Sequence, residues 1–397
     1  MAARALRPSR IDFDERPFIV IWESTRACQL ACKHCRAHAA PRRDPHELDT
    51  AAARAVMDQV AEFGSPPPFF VITGGDPFER PDLFELVRYA SDIGLPVAVS
   101  PSGTDALNRQ NREALREAGC HAISLSVDGA DPHTHDQFRG VAGSHARTLA
   151  GWQMARELGL KVQINTTVTP QNLGELPDIV SLIDSRRAMT WSVFFLVPTG
   201  RGTRLPQLTA RQAEDVLNFC YDADKIVSLK TTEAPSFRRV CIQRVLCERE
   251  GLDPVAELGL GPDYESLSRR LALLTPRRES DQMRRPPLRV SAARGFVFIS
   301  HTGDVYPSGF LPVSAGNLRT SSLKALYRDS SLFRSLRDPD APHGRCGACE
   351  FRRVCGGSRP RAYGAGHDVF ADDPLCAYEP GSFGREERVG DLVAAGM

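Results

Sequence analysis

The sequence predicts an α/β fold in which parallel strands and helices alternate through residues 18–230, followed by a small cysteine-rich C-terminal region. Two observations carry the first part: six short β-rich runs recur with amphipathic stretches between them, and the turns that end those runs hold the residues with chemistry. A third carries the second part, where four of the eleven cysteines fall between positions 346 and 376.

The strand candidates are FIVIWEST (18–25), PFFVITGG (68–75), PVAVSPSG (96–103), AISLSVDG (122–129), KVQINTTVT (161–169) and MTWSVFFLVP (189–198). Segments such as LDTAAARAVMDQVAEFG and PDLFELVRYASDIG separate them, with apolar residues at helical spacing. Continuous Val, Ile and Phe suit parallel strands covered on both faces, and right-handed crossovers wind such strands into a barrel or an open doubly wound sheet. Either architecture puts functional residues in the loops after the carboxyl ends of strands. CQLACKHC, TGGDP, SVDG and VPTGRG all fall there.

The pattern breaks after about residue 230. Arg269 to Arg289 carries seven arginines against two acids, with Pro286 and Pro287. This reads as a linker or surface insertion, or else as an arginine-lined mouth for an acidic substrate. GFVFISHTGDVYPSGFL then reads as a hairpin with a TGD turn, and SSLKALYRDSSLFRSLRD as a short helical segment. The expected organisation is an N-terminal arm (1–17), a core (18–230), a linker or insertion (231–290) and a cysteine-rich domain with its tail (291–397).

With 397 residues and 42% apolar content the chain can bury a large core. The start, MAARALRPSRIDFDERP, has no continuous apolar stretch, and no run reaches membrane-spanning length, so the expected location is the cytosol and no membrane partner is expected. A formal net charge of +1 gives no electrostatic footprint for nucleic acid. In a reducing compartment grouped cysteines point to metal rather than to disulfides. The scattered Cys120, Cys220, Cys241 and Cys247 read as small buried hydrophobes, with Cys241 and Cys247 the only pair close enough to question.

Cys28, Cys32 and Cys35 form a C-x3-C-x2-C loop directly after the first strand. Three thiolates can hold a 4Fe–4S cubane with one iron left open to an exogenous chelator. The same spacing also admits a zinc loop completed by His34 or His38. In its spacing and position this loop resembles that of the radical S-adenosylmethionine (SAM) enzymes. The resemblance implies a partial (β/α)6 TIM-like barrel with a small C-terminal cysteine-rich α+β auxiliary-cluster domain. It also implies that SAM binds the open iron and is cleaved by one electron to a 5′-deoxyadenosyl radical.

Further motifs extend the resemblance. Gly74, Gly75, Asp76 and Pro77 look like the family's GGEP motif, whose backbone approaches the methionine amino group; Asp76 stands where Glu is commoner. Ser126 and Asp128 end the fourth strand and Asn165 lies in the fifth, and by resemblance they hold the cofactor's carboxylate and ribose hydroxyls. Leu196, Val197 and Gly200 in VPTGRG match the adenine-contact segment, and His34 occupies the position of an aromatic residue set against the adenine. On residue chemistry alone, Asp128 is equally an ordinary turn or cap residue.

The tail spaces Cys346, Cys349, Cys355 and Cys376 as C-x2-C-x5-C-x20-C, a set able to close a cubane completely or to hold a structural zinc. It resembles the SPASM/twitch domain of radical SAM enzymes, with Ser308 and Arg359 at positions where further cysteines are usual. One auxiliary 4Fe–4S cluster, acting as an electron conduit, is what that count implies. CGACEFRRVCGGSRPRAY, DPLC and YPSGFLP resemble the branch that trims tetrapyrrole side chains in haem and haem d1 biosynthesis.

The implied function is hydrogen abstraction with oxidative decarboxylation or side-chain removal on a tetrapyrrole. An external one-electron donor such as flavodoxin or ferredoxin would serve it, with Arg359, Arg361 and the 269–289 arginines as candidate carboxylate partners. The alternatives are a maturase of a ribosomally made peptide, against which the short arm of about 17 residues before the first strand speaks, and a non-catalytic iron–sulfur carrier or zinc scaffold. The residues single out no catalytic acid or base.

Overall fold

A computed structural model describes residues 11–275, 288–385 and 387–390. Ten strands form one sheet: β1 (Ile19–Glu23), β2 (Phe69–Thr73), β3 (Val97–Val99), β4 (Ala122–Ser126), β5 (Lys161–Val168), β6 (Thr190–Phe195), β7 (Leu229–Thr232), β8 (Phe296–Ile299), β9 (Asp304–Tyr306) and β10 (Gly316–Asn317). Their spatial order is β10-β9-β8-β1-β2-β3-β4-β5-β6-β7. From β8 across to β7 all neighbours are parallel, while β9 and β10 add antiparallel.

Strands β1 to β7 follow one another in chain order without reversal. Right-handed crossovers then put every connecting helix on the same face, which is the winding of a barrel; a doubly wound sheet reverses at a switch point. The free edges at β7 and β10 make the barrel a partial one. Helices Thr50–Ala61 and Leu83–Asp92 bury Val56, Met57, Val60, Leu86 and Val87 against Trp22, Phe70 and Ile72 of the strands.

The other face of the strands is not covered as the apolar runs suggested. Along β5, Val162, Ile164, Thr166 and Val168 are buried while Gln163, Asn165 and Thr167 remain partly accessible, so alternate residues line an open lumen.

Two features differ from the sequence reading. A seventh strand, β7, follows the six expected; LKTT is too short and polar to stand out by periodicity. The stretch 231–290, read as a linker or insertion, is largely helical where described: Phe237–Glu250, Pro254–Leu258 and Pro262–Leu274. Tyr264, Leu267 and Leu271 join the main core, because their spacing gives the last of these helices an apolar stripe beneath its arginines. Arg277, Arg278, Arg284 and Arg285 lie outside the described residues. Arg269 is exposed, and Arg270 is tied to Asp178 at 2.7 Å.

The expected hairpin forms between β8 and β9 and extends the barrel sheet, since β8 pairs with β1. Cys120, Cys220, Cys241 and Cys247 are all buried, and none of them forms a disulfide. Among the described residues no helix is long and apolar enough to cross a membrane.

Side chains span the gap that the strands leave. Glu233, just past β7 and with φ +56°, is enclosed between the barrel and the C-terminal region, where it accepts hydrogen bonds from Ser308 Oγ (2.7 Å) and Ser358 Oγ (2.8 Å). Arg361 donates to the Glu233 carbonyl at 2.8 Å. Glu233→Ala should strand both hydroxyls in a buried seam and cost about 2–5 kcal/mol, read as a lower midpoint in anaerobic urea denaturation; an unchanged midpoint would show that the seam is not a stabilising contact.

On the β1 side, His301 at the hairpin turn joins Glu23 Oε1 (3.1 Å) to Asp44 Oδ2 (3.3 Å). Burial alone would lower the His301 pKa, but Glu23 and Asp44 outweigh it and raise the imidazole above its usual value. The raised folded-state pKa makes this contribution complete below the unfolded pKa near 6.5 and lost as pH rises through the folded one. The thermal midpoint of the wild type should therefore fall more steeply with rising pH above 6.5 than that of His301→Gln; parallel curves would exclude the coupling.

Candidate active site

The loop after β1 contains the three cysteines and almost no regular structure, so its shape is set by what grips it. Ala27 and Ala40 form a parallel bridge that closes residues 27–40 into a ring. From one side comes the strap after β2. The Gly75 N–H donates to the Thr25 carbonyl and the Asp76 N–H to the Ala27 carbonyl, both at 2.7 Å. A Cβ on Gly75 would stand 2.2 Å from the Ala27 oxygen, and one on Gly74 2.4 Å from the Thr25 oxygen, so only glycine lets the two backbones meet.

From the other side comes the turn after β6. Gly200, at φ +57°, abuts the Cys35 and Arg36 carbonyls, where a Cβ would come within 2.5 Å. Arg201 then enters the ring, its Nε donating to the Cys32 carbonyl (2.9 Å), its Nη1 to the Ala39 carbonyl (3.3 Å) and its backbone N–H to the Cys35 carbonyl (2.9 Å). Leu196 and Val197 are buried, within 3.4 Å of where a Gly202 Cβ would lie.

Donors are aimed at the sulfurs. Leu30 N–H points at Cys28 Sγ (3.4 Å), Arg139 Nη1 lies 3.6 Å from Cys32 Sγ, and Ser102 Oγ, which donates to the Gly75 carbonyl, sits 3.5 Å from Cys28 Sγ. Burial pushes the Cys28 thiol up to about 11, so a thiolate there requires cationic ligation. Arg139 is held by Asp128, Nη2 to Oδ2 at 2.5 Å. Burial would lower the Arg139 pKa, but the charges of Asp128 and Cys32 reverse this and keep the guanidinium protonated.

The expected cofactor contacts divide into two groups. Ser126 and Asn165 are register partners on the lumen face of β4 and β5, both partly accessible. Asp128 and Asp76 are fully buried instead. Asp128 Oδ1 accepts the Thr167 N–H at 2.7 Å, so this carboxylate reaches the loop only through Arg139. Asp76 accepts from Thr104 Oγ1 (2.8 Å) and the Phe78 N–H (3.2 Å), and Pro77 begins the short turn behind it; both fix the glycine strap and present no free polar atom to the lumen. His34 stacks on Phe138 at 4.5 Å and 23°, with Nδ1 buried and unpartnered. Burial, then Arg139 and Arg201, drive its pKa well down, so the ring is neutral.

In the tail, Cys346, Cys349, Cys355 and Cys376 line a single pocket together with Arg239 and Tyr378. Burial raises the thiols of Cys349 and Cys355 to about 12 and that of Cys376 above its usual value. Arg359 donates to the Val369 (2.8 Å) and Ala371 (2.9 Å) carbonyls and comes within 3.6 Å of Cys346 Sγ, while Arg361 is locked in the seam. Neither is free to pair with a substrate.

Among the described residues no three His, Cys, Asp or Glu side chains converge as the ligands of one ion would. The fit therefore rests on enclosure and donor chemistry. Four sulfurs around one pocket, and three sulfurs within a ring of N–H and guanidinium donors, suit thiolate-bridged iron clusters.

The sequence reading missed Arg139, Arg201 and Ser102. The signals were present as an arginine followed by the helix-ending Gly140, the RG of VPTGRG, and a serine in the loop after β3. Gly75→Ala should displace the ring and leave about four irons per chain, where about eight would fill two cubanes; anaerobic iron analysis that still gives about eight would show that the strap is dispensable.

Comparison with known proteins adds three findings. Residues 22–183 match the Radical SAM superfamily. The chain is 41% identical to an AdoMet-dependent heme synthase of Oleidesulfovibrio alaskensis, over 91% of this chain and 87% of that protein, and 37% identical to one of Methanosarcina barkeri, over 92% and 97%. The crystal structure of Streptococcus suis SuiB bound to S-adenosylmethionine shares the fold, with TM-score 0.65, 16% identity, and coverage of 92% of this chain and 78% of that one.

Proposed function

The chain belongs to the radical SAM superfamily, and from that premise we propose that it removes carboxylate-bearing side-chain carbon from a tetrapyrrole, converting propionate groups to vinyl groups. The observation that carries this reading is the 41% and 37% identity, across more than nine-tenths of the chain, to two AdoMet-dependent heme synthases. When bound, SAM and the cluster of Cys28, Cys32 and Cys35 supply a 5′-deoxyadenosyl radical that takes a hydrogen atom. Loss of that atom from the carbon next to the carboxymethyl group, followed by release of carbon dioxide and one electron, balances the conversion. Cys346, Cys349, Cys355 and Cys376 would hold the acceptor of that electron, and an external donor such as flavodoxin or ferredoxin would supply the first.

The protein's own part is positional. The Gly74-Gly75 strap and Arg201 hold the loop open toward the lumen. Ser126 at the end of β4 and Asn165 within β5 offer polar atoms to the nucleoside. Phe194 with Phe310 (6.4 Å), both partly accessible, provide aromatic surface, the kind that excludes water and stacks on a flat macrocycle.

After anaerobic reconstitution, reduction with dithionite in the presence of SAM and a propionate-bearing iron porphyrin should give one 5′-deoxyadenosine for each propionate lost. The product mass should fall by one carbon dioxide and two hydrogens per event. Absence of both a Soret shift and that product, with tight binding of a small peptide instead, would replace this reading with peptide maturation.

A further inference from the structure

Lys230 occupies the middle of β7, a strand that the sequence did not reveal. Its register partner is Ser192, whose partner is Asn165, whose partner is Ser126. Side chains in one such row share a face, and Ser126 and Asn165 face the lumen. The alternate residues of β6, Trp191, Val193 and Phe195, belong to the core on the helix side. Ser192 Oγ and Thr232 Oγ1 meet at 3.1 Å, consistent with a common lumen face for β6 and β7.

Two properties of Lys230 look contradictory. It is exposed to solvent by accessible area, yet burial is the whole cause of a pKa lowered to about 8. Both hold if the water it meets lies inside the barrel, where the walls stand near the ammonium without covering it. Among the described residues no carboxylate or other acceptor reaches Nζ. Its ammonium thus meets water with no protein acceptor, whereas the guanidinium of Arg139 has Asp128 and that of Arg201 has the loop carbonyls.

We propose that Lys230 is the anchor for a substrate carboxylate that does not react. The inference rests on the tetrapyrrole reading and sharpens it. Counted along the row, three strand spacings of about 4.8 Å put the Lys230 backbone roughly 14 Å from Ser126. A carboxylate gripped by Lys230 therefore belongs to one edge of a molecule whose opposite edge meets the nucleoside. The substrate class that fits is a flat macrocycle with carboxylates on more than one side, lying against the Phe194–Phe310 pair, since Phe194 is the register partner of Thr232 on the same face. Lys230 is a positioning residue in this scheme: it fixes which propionate reaches the radical and takes no part in bond breaking.

The test compares a dicarboxylate iron porphyrin with its dimethyl ester, using reconstituted holoenzyme and Soret titration. Wild type should bind the acid about 10- to 100-fold more tightly than the ester, the span expected of a charge-assisted hydrogen bond. Lys230→Met should lose that discrimination and Lys230→Arg should keep most of it. An independent readout needs no variant: acylation of Lys230 in the wild type at pH 8, followed by mass spectrometry, should be slowed by the acid and not by the ester. If wild type and Lys230→Met bind the acid equally, or the acid gives no protection, the anchor is refuted while the tetrapyrrole reading stands. If wild type binds neither porphyrin, the tetrapyrrole reading falls and takes the anchor with it.

Discussion

The ion pair between Asp128 and Arg139 is the contact on which the site depends. The buried guanidinium is stabilised by the Asp128 carboxylate, which is held in turn by the Thr167 N–H. What the pair presents to the loop is a fixed cation 3.6 Å from Cys32 Sγ. The guanidinium there offers the sulfur a charged donor. The loop, lacking secondary structure, could not position such a charge for itself; β4 and the helix Pro132–Arg139 do it from outside.

The same logic explains how a barrel without strand closure stays shut. Among the described residues the edge of β7 has no hydrogen-bonded neighbour beyond it, and an unpaired strand edge invites association. Here the C-terminal region covers the gap through Glu233, Ser308 and Ser358. Ser308 and Arg359 are also the two positions where the tail departs from a fuller cysteine pattern. A hydroxyl and a guanidinium are not the thiolates that ordinarily hold an iron–sulfur cluster, but the first is what Glu233 requires and the second satisfies the carbonyls of Val369 and Ala371. Ser308 is thus both a departure from the fuller pattern and a member of the seam, whereas Arg359 braces the tail beside Cys346.

How much of this could be read from the sequence depended on whether a residue's role is local. The first six strands stood out because apolar β-branched runs have a period of their own, and the cysteine groups because ligand spacing is a sequence property. β7 did not: four residues, half of them threonine, carry no pattern, and its identity is fixed by pairing with β6. The helix Pro262–Leu274 was hidden because its arginines drew attention while Tyr264, Leu267 and Leu271 carried the burial. Asp128 and Asp76 were found as site residues, but the sequence could not tell that both face inward. A carboxylate at a strand end has the same one-letter signature whether it meets a ligand or holds the residue that does. Arg139 and Arg201 lay in plain view, yet what each grips is separated from it by 107 and 169 residues.

Electrostatics finally distinguishes the lumen from the rest of the interior. With a net charge of +1 the chain exerts no strong field at a distance, so an anionic substrate gains little from steering. Discrimination must then come at short range, where a single unscreened charge in low dielectric outweighs many on the surface. Most buried cations near the site already face a protein acceptor, and their attraction for a ligand is spent. Lys230 differs because its partner is missing from the described protein, and an ammonium on a flexible stem can follow a carboxylate where a rigid guanidinium fork could not. An unpaired ammonium on the same face as Phe194 favours molecules that are both flat and acidic, and it stands three strands away from Ser126 rather than beside the cysteine loop.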